Sequence, residues 1–375
     1  MAKIVLFCHS LRSDWNHGNA HFLRGIATEL QRRGFDVQTF EPENGWSAVN
    51  LVKDAGPSAL TAWRSVYSDL PVTTYEPEEI DLDRALAGAD LVVVHEWTDP
   101  ALVGRLAARR RAGARFLLVF LDTHHRMVSA VNEMSRFDLD GFDAVLAFGA
   151  ALAEAYRRIG WGRRVYTWHE GADLRVFRPC PDALQDRDLV WIGNWGDDER
   201  AAELREFLIE PVSALGLSAR VHGVRYPVEA RAALAAAGID YAGYLANFMA
   251  PFAFASARIT VHVPRRPYTR LLPGIPTIRM FEALACGIPL VSAPWDDCEG
   301  LFTAGDDYLV ARNGAEMRRH LADLHADSAL RESLAAQGRA TVVARHSCAH
   351  RVDELLAICS ALGRDLAEPA LAAVE

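Results

Sequence analysis

Lysine is nearly absent from this chain. Of its 40 basic residues only Lys3 and Lys53 are lysine, which leaves 38 arginines. With so much alanine beside them, this points to a GC-rich, bacterial genome rather than to a basic binding surface. The net charge is −9 and the isoelectric point about 5.8, so neither a broad nucleic-acid-binding face nor a nucleic-acid partner is expected, though local basic patches stay open. Cysteine is sparse. Cys8, Cys180, Cys286, Cys298, Cys348 and Cys359 form no C-x-x-C pair, so neither a zinc site nor a disulfide framework is signalled. No apolar run reaches the roughly 18 residues a membrane helix needs, so no transmembrane segment is expected. The N-terminus enters an apolar strand at once, Lys3 to Cys8, without a secretory pattern. The expected location is cytoplasmic.

What is present is the texture of a globular α/β protein. Half of the 375 residues are hydrophobic and the mean hydropathy is zero, and the length suits two domains. Ile4 to Cys8 reads as a buried strand and Ser10 to Asn19 as a polar loop. Phe22, Ile26 and Leu30 mark one face of a helix that Gly34 stops, and Asp36 to Phe40 is the next strand. Strands at Leu91–His95, Phe116–Leu121 and Ala144–Phe148 alternate with helices at Asp83–Gly88, Ala101–Arg111 and Ala150–Arg158, while 44–80 reads as a helical excursion. This is βαβ grammar, which predicts a parallel sheet.

A polar, proline-containing stretch around 175–187 interrupts the pattern. The grammar then restarts, with strands at Leu189–Ile192, Ala219–His222, Thr260–Val263 and Leu290–Ser292, and helices at Glu199–Leu215 and Thr277–Cys286. Two such units predict a ligand site in a cleft between them. The expected domains are 1–180, 181–350, and a last segment 351–375 whose helix, near Arg351 to Leu366, folds back on the first domain; the alanine-rich end is expected to fray.

The strongest chemical signal runs from Pro273-Gly274-Ile275-Pro276-Thr277 into Ile278-Arg279-Met280-Phe281-Glu282-Ala283-Leu284-Ala285-Cys286-Gly287. A glycine- and proline-rich loop opens a short helix, and free N–H groups at a helix start suit a phosphate. Arg279 would add a positive charge there. The Glu282 carboxylate, one turn in, can accept hydrogen bonds from a ribose diol. The plainer possibility is that Glu282 serves the helix dipole and Arg279 is a surface ion-pair partner.

This segment resembles the sugar-nucleotide-binding helix of GT-B glycosyltransferases, the group 1, family-4-like proteins. It is closest to their CgeB-like branch, which the ending His346-Ser347-Cys348-Ala349-His350-Arg351 with Leu355-Leu356 also resembles. The resemblance is good over about 188–360 and weaker before it. It implies a GT-B fold, two Rossmann-like parallel-sheet domains facing across a cleft. Glu282 would hold the nucleotide ribose, with Arg279 beside it, and the backbone of Gly274, Ile275 and Thr277 would face the sugar and diphosphate. Many relatives carry a second glutamate eight positions before this one, where the chain has Gly274, so donor sugar and stereochemistry stay open. Gly193-Asn194 resembles a family turn that lets backbone approach a diphosphate, and Arg200 and Arg225 are candidate cations for it.

In the first domain, the loop after the first strand would face the acceptor, and His17 or Asp14 would be the general base of an inverting enzyme. His95-Glu96 resembles the family step whose histidine reaches the donor sugar. Asp122-Thr123-His124-His125-Arg126 ends the neighbouring strand, and strand C-terminal ends are where ligands gather. The two adjacent histidines are expected to diverge and bind no metal. Of the two D-x-D steps, Asp81-Leu82-Asp83 caps a helix and Asp138-Leu139-Asp140 lies in a turn.

The expectation is thus a metal-independent glycosyltransferase that requires no cofactor. Its donor would be a nucleotide sugar, a UDP-sugar first, and its acceptor a glycan, small molecule or protein. The alternatives are a UDP-sugar 2-epimerase-like enzyme and a non-catalytic sugar-nucleotide-binding surface-assembly protein. A dinucleotide-dependent dehydrogenase is disfavoured. Glu41 ends the second strand, where such enzymes keep a ribose-binding acid, but no G-x-G-x-x-G follows the first strand.

Overall fold

Continuous apolar runs build the centre of each sheet. In the computed structural model, which describes residues 1–366, the chain divides into two compact units. One is Met1–Glu170 together with the segment that begins at Cys348; the other is Gly171–Ser347. Among the described residues no helix is long and apolar enough to cross a membrane.

The first unit carries seven strands: β1 (Lys3–Phe7), β2 (Asp36–Pro42), β3 (Val72–Tyr75), β4 (Leu91–His95), β5 (Leu117–Asp122), β6 (Ala144–Ala147) and β7 (Val165–Thr167). Their order is β3-β2-β1-β4-β5-β6-β7 and every pairing is parallel. β4, β5 and β6 are buried along their whole length, as strands covered by helices on both faces must be. The strand order reverses between β1 and β4. Register pairs Phe7 with Val94, and His95 with Leu121, so the C-terminal ends of β1, β4 and β5 share one edge. The excursion at 44–80 holds helical segments, but it also contains β3, an edge strand whose burial is confined to Tyr75.

The second unit has six strands: β8 (Arg187–Ile192), β9 (Ala219–His222), β10 (Ile239–Gly243), β11 (Ala257–His262), β12 (Leu290–Ser292) and β13 (Leu309–Val310). The order is β10-β9-β8-β11-β12-β13, again all parallel. Here the order reverses between β8 and β11. The uniform helix expected over Glu199–Leu215 is instead helical at Ala201–Leu204, a π-turn at Arg205–Ile209 and helical again at Glu210–Leu215. Pro211 explains the break: its ring cannot donate the backbone hydrogen bond that an α-helix needs at that point.

The helix Cys348–Ala361 belongs to the first unit and packs on the helix Ala20–Arg32. Trp168 Nε1 donates to Arg351 O at 2.8 Å, and Arg351 Nε donates to Glu170 O at 3.0 Å. The expected fraying of the C-terminal end falls on residues beyond 366, outside the described residues.

Candidate functional site

Each sheet gathers polar side chains at the C-terminal edge beside its switch point. In the second unit the edge begins with Gly193 and Asn194, directly after β8. A Cβ on Gly193 would lie 2.8 Å from the Trp191 ring, and one on Gly223, after β9, would lie 1.9 Å from Gly193 O. A glycine at 223 lets the two backbones approach so closely, and a glycine at 193 leaves room for the Trp191 ring. Arg200 packs against Gly193 and Gly196. It is 8 % exposed, its guanidinium lies over the Trp191 ring at 5.1 Å, and it donates to Asn194 O and Oδ1, both at 2.5 Å, and to Val263 O at 3.1 Å. Burial, then the positive Arg265 and Arg279, lower its pKa to about 9. A buried guanidinium that feels two more cations is poised for an anion.

Arg265 was not singled out from sequence. It donates to Glu199 at 2.9 Å and to Asn194 Oδ1 at 3.0 Å, which ties it to the same turn as Arg200. Arg225 lies apart from this hydrogen-bonded group: it is largely exposed and pairs with Asp197 at 2.7 Å.

The helix Ile278–Cys286 opens at this edge. Its N-cap, Thr277, does not cap with its side chain, and the first turn carries no acidic residue. The Thr277 hydroxyl instead meets His262 Nε2 at 3.0 Å, while His262 Nδ1 meets Ser292 Oγ at 2.9 Å. Burial, helped by Arg200, lowers the His262 pKa to about 3, so the imidazole is a neutral strut between β11, β12 and the helix start. Met280 N is taken by Thr277 O at 3.0 Å, and the N–H groups before it have no acceptor within the helix and sit at its positive dipole end. Gly287, with φ +70°, closes the helix, and Ile288 N donates back to Ala283 O, a Schellman-type stop. Glu282 is fully buried and ion-paired with Arg279, and Asn247 Nδ2 donates to it at 3.4 Å. Arg279 was expected in a surface ion pair; its partner is instead the buried Glu282 one turn on.

Gly274 has φ +86°, and a Cβ there would lie 2.7 Å from Cys298 Sγ and 3.2 Å from a Glu299 carboxylate oxygen. A side chain is excluded at this position both by backbone and by space. Gly274 N donates to Asp296 O, and Trp295 Nε1 donates to Ile275 O at 3.1 Å, so the loop is braced against 295–298.

In the first unit, Glu41 shapes the loop after β1. It accepts from Leu11 N, Arg12 N and the Arg12 guanidinium, so its carboxylate is occupied by its own chain. Asp14 is also engaged: it pairs with buried Arg24 at 2.9 Å, and Arg24 Nε donates to Leu11 O at 2.7 Å. These contacts hold the loop that presents His17. The His17 ring stands 4.9 Å from that of His9 and 5.9 Å from that of His95. His95 Nε2 is 2.9 Å from Glu96 and 3.0 Å from Thr123 Oγ1, and Asn19 donates to the same Thr123 oxygen at 2.7 Å. Burial and the neighbouring imidazoles hold His17 well below the usual histidine value and bring His9 to about 4. Both are neutral at pH 7. Beneath them, Asp122 accepts from Tyr156 Oη at 2.7 Å, and burial with the Glu96 charge raises it to about 7. Burial pushes Glu96 up, but His95 and Arg126 together pull it below the ordinary carboxylate value.

The adjacent histidines do not diverge. The chain turns from β5 into the helix Arg126–Ser129, and the rings of His124 and His125 lie 4.1 Å apart at 31°. No group of three histidine, cysteine or acidic side chains among the described residues could hold a metal ion. Asp81 caps the helix Leu82–Ala85 through Asp83 N and Arg84 N, and Asp138 is held by Arg111 and accepts from Asp140 N.

Residues 200–357 match a family described as glycosyl transferase-like. No curated protein sequence matches the chain. Solved structures resemble it over almost its whole length. One is a sucrose-phosphate synthase from Thermosynechococcus elongatus, with TM-score 0.65, 14% identity, and 97% of this chain and 99% of that chain covered. Another is HepE from Anabaena in complex with UDP and glucose, with TM-score 0.66, 16% identity, and 96% and 100% covered. A third is T4 phage BGT in complex with UDP and Mn2+, with TM-score 0.61, 12% identity, and 97% and 100% covered. Two Rossmann-like, all-parallel units of seven and six strands, shared with these neighbours, make this a GT-B fold.

Proposed function

We propose that the protein is a glycosyltransferase that moves a sugar from a nucleotide-diphosphate donor, a UDP-sugar, to an acceptor hydroxyl. The observation that carries this reading is the constellation at the edge of the second unit: Arg200, Arg265 and Arg279 gathered at the uncapped start of the helix Ile278–Cys286, with buried Glu282 one turn in. A diphosphate takes the helix N–H groups and the guanidiniums, with Arg225 as an outer cation. The backbone of Gly193, Asn194, Gly274, Ile275 and Thr277 faces the diphosphate and sugar, and Glu282 accepts from the ribose. The solved neighbours with UDP bound lend support to the choice of base.

Donor cleavage leaves negative charge on the departing diphosphate, and three arginines with a helix dipole stabilise it without a metal ion. The first unit supplies the acceptor side. His17, rather than Asp14, is the candidate base for an inverting reaction, because the Asp14 carboxylate is committed to Arg24 while His17 is a neutral imidazole. His95, fixed by Glu96 and Thr123, contacts the transferred sugar. The CgeB-like branch is proposed on the sequence of the His346–Arg351 segment, in which His346 Nε2 meets Leu301 O at 2.8 Å and Arg351 Nε donates to Glu170 O at 3.0 Å. A nucleotide-sugar donor fits the cytoplasm of a bacterium.

Incubation with radiolabelled UDP-sugars, with and without an acceptor mixture, tests the reading. Transfer of label to an acceptor with release of UDP supports it. An epimerised donor formed without acceptor would assign the fold to epimerase chemistry instead. Nucleotide binding with no turnover of any donor would favour a binding-only protein.

A further inference from the structure

Trp97 is a large side chain at the edge of the first sheet that is left partly open to solvent. It lies two residues beyond β4, and it is 40% exposed. Its ring is not loose. The Arg126 guanidinium lies over it at 3.8 Å, and Arg126 Nη2 donates to Glu96 O at 2.6 Å. His124 stands against it at 5.3 Å and 72°, and His9 at 5.8 Å and 47°. An exposed indole held in one orientation from behind and from both sides is a preorganised stacking surface.

This surface is the open end of a row of rings. His9 leads from Trp97 to His17, and His17 leads to His95. Inside that row, His17 Nε2 and His95 Nδ1 are buried and have no hydrogen-bond partner among the described residues. Such orphaned ring nitrogens cost free energy unless a polar group meets them. The edge therefore asks for an occupant with an apolar face for Trp97 and hydroxyl groups for the histidine row.

Charge narrows the class. The guanidiniums around the row are engaged: Arg126 with Trp97 and Glu96, Arg24 with Asp14 and Leu11 O, Arg12 with Glu41 and Glu43. The carboxylates behind it, Glu96 and Asp122, are buried. Arg24 Nη2 and Arg126 Nε are buried without a hydrogen-bond partner among the described residues. Arg24 is nevertheless paired with Asp14 and Arg126 is stacked on Trp97, so an anion would meet charge already committed. A flat hydrocarbon ring would leave the histidine nitrogens unmet. A pyranose has both features, an axial C–H face and a rim of hydroxyls.

We infer that Trp97 is the platform for the acceptor and that the acceptor is a saccharide, its pyranose ring stacked on the indole with its hydroxyls toward the His9–His17 row. This assignment rests on the transferase reading above, and it adds the acceptor class. Trp97 acts as a specificity-determining residue that touches substrate.

The test compares the wild-type protein with Trp97→Ala and Trp97→Phe. The probes are the methyl pyranosides of glucose, galactose, mannose and N-acetylglucosamine. Saturation-transfer NMR reads contact of sugar C–H protons with the protein, and calorimetry with UDP reads the donor site separately. Circular dichroism and melting confirm folding, which loss of a half-exposed ring should leave intact. At least one pyranoside should bind wild type through its C–H face. Trp97→Ala should weaken it about tenfold, in line with the worth of a stacked ring, and Trp97→Phe should restore most of the contact, with UDP affinity the same in all three. No pyranoside contact in wild type, or equal binding by Trp97→Ala, overturns the inference. Pyranoside binding dependent on Trp97 in a protein that fails to bind UDP would uphold the platform and remove the donor reading instead.

Discussion

Replacing Glu282 with alanine separates the two roles that its position allows. In the folded protein the carboxylate is fully buried and pairs with Arg279, whose side chain is 24% exposed. Because Arg279 can turn to water, the loss should be smaller than the 3–5 kcal/mol of breaking a wholly buried pair, and about 1–3 kcal/mol of stability is expected. If the same carboxylate also accepts from the ribose hydroxyls, UDP binding falls by a further charge-assisted interaction, about 1–3 kcal/mol, or roughly 5- to 150-fold in Kd. Calorimetric titration with UDP and with 2′-deoxy-UDP distinguishes the cases. Wild type should prefer UDP, and Glu282→Ala should lose both affinity and most of that preference. A folded variant with unchanged UDP affinity, or with the full preference retained, would refute the ribose role and leave Glu282 as a structural partner of Arg279.

Gly274→Ala should destabilise the protein by about 1–3 kcal/mol, since it forces a side chain into φ +86° and against Cys298. A melting temperature equal to that of wild type would show that the loop gives way. Stability should fall as pH drops from about 6.5 toward 4. His9, His17 and His262 have folded values below the unfolded one, so the unfolded chain takes up protons first, at up to about 1.4 kcal/mol per pH unit for each. Asp122, raised to about 7, runs the other way and offsets one of them. A urea midpoint that is flat or higher at pH 5 than at pH 7.5 would contradict this. Sugar transfer should persist in a chelator, because the arginines carry the leaving-group charge; a strict requirement for Mg2+ or Mn2+ in the turnover assay would contradict that.

The sheet centres were legible because burial on both faces demands continuous apolar runs, and β1, β4, β5 and β8 have them. β3, β7 and β10 escaped notice because they are short or only partly buried, so neither length nor pattern marks them. Arg279 and Glu282 stood out as residues, but their contact, three positions apart on one helix, appears only with the helix built and Glu282 buried. Arg265 gave no such signal. In a chain with 38 arginines, its place beside Arg200 and Asn194 exists only once β8 and β11 have paired. The same holds for His9 and Trp97, which come from the ends of separate strands. Asp14 and His17 looked equivalent as loop residues, and only the buried Arg24 separates them. His124 and His125 misled because the backbone turns between strand and helix there, which brings neighbouring side chains onto one side.

The most direct test of the central claim is the thermal shift of the wild-type protein with UDP, run beside GDP, ADP, TDP, CMP, NAD and NADP without added metal. At 100 times its dissociation constant, a ligand stabilises the fold by about 2.7 kcal/mol, a rise of a few degrees in Tm for a chain of this size. The account predicts that rise with UDP. A rise with NAD alone, or none with any nucleoside diphosphate, would contradict it.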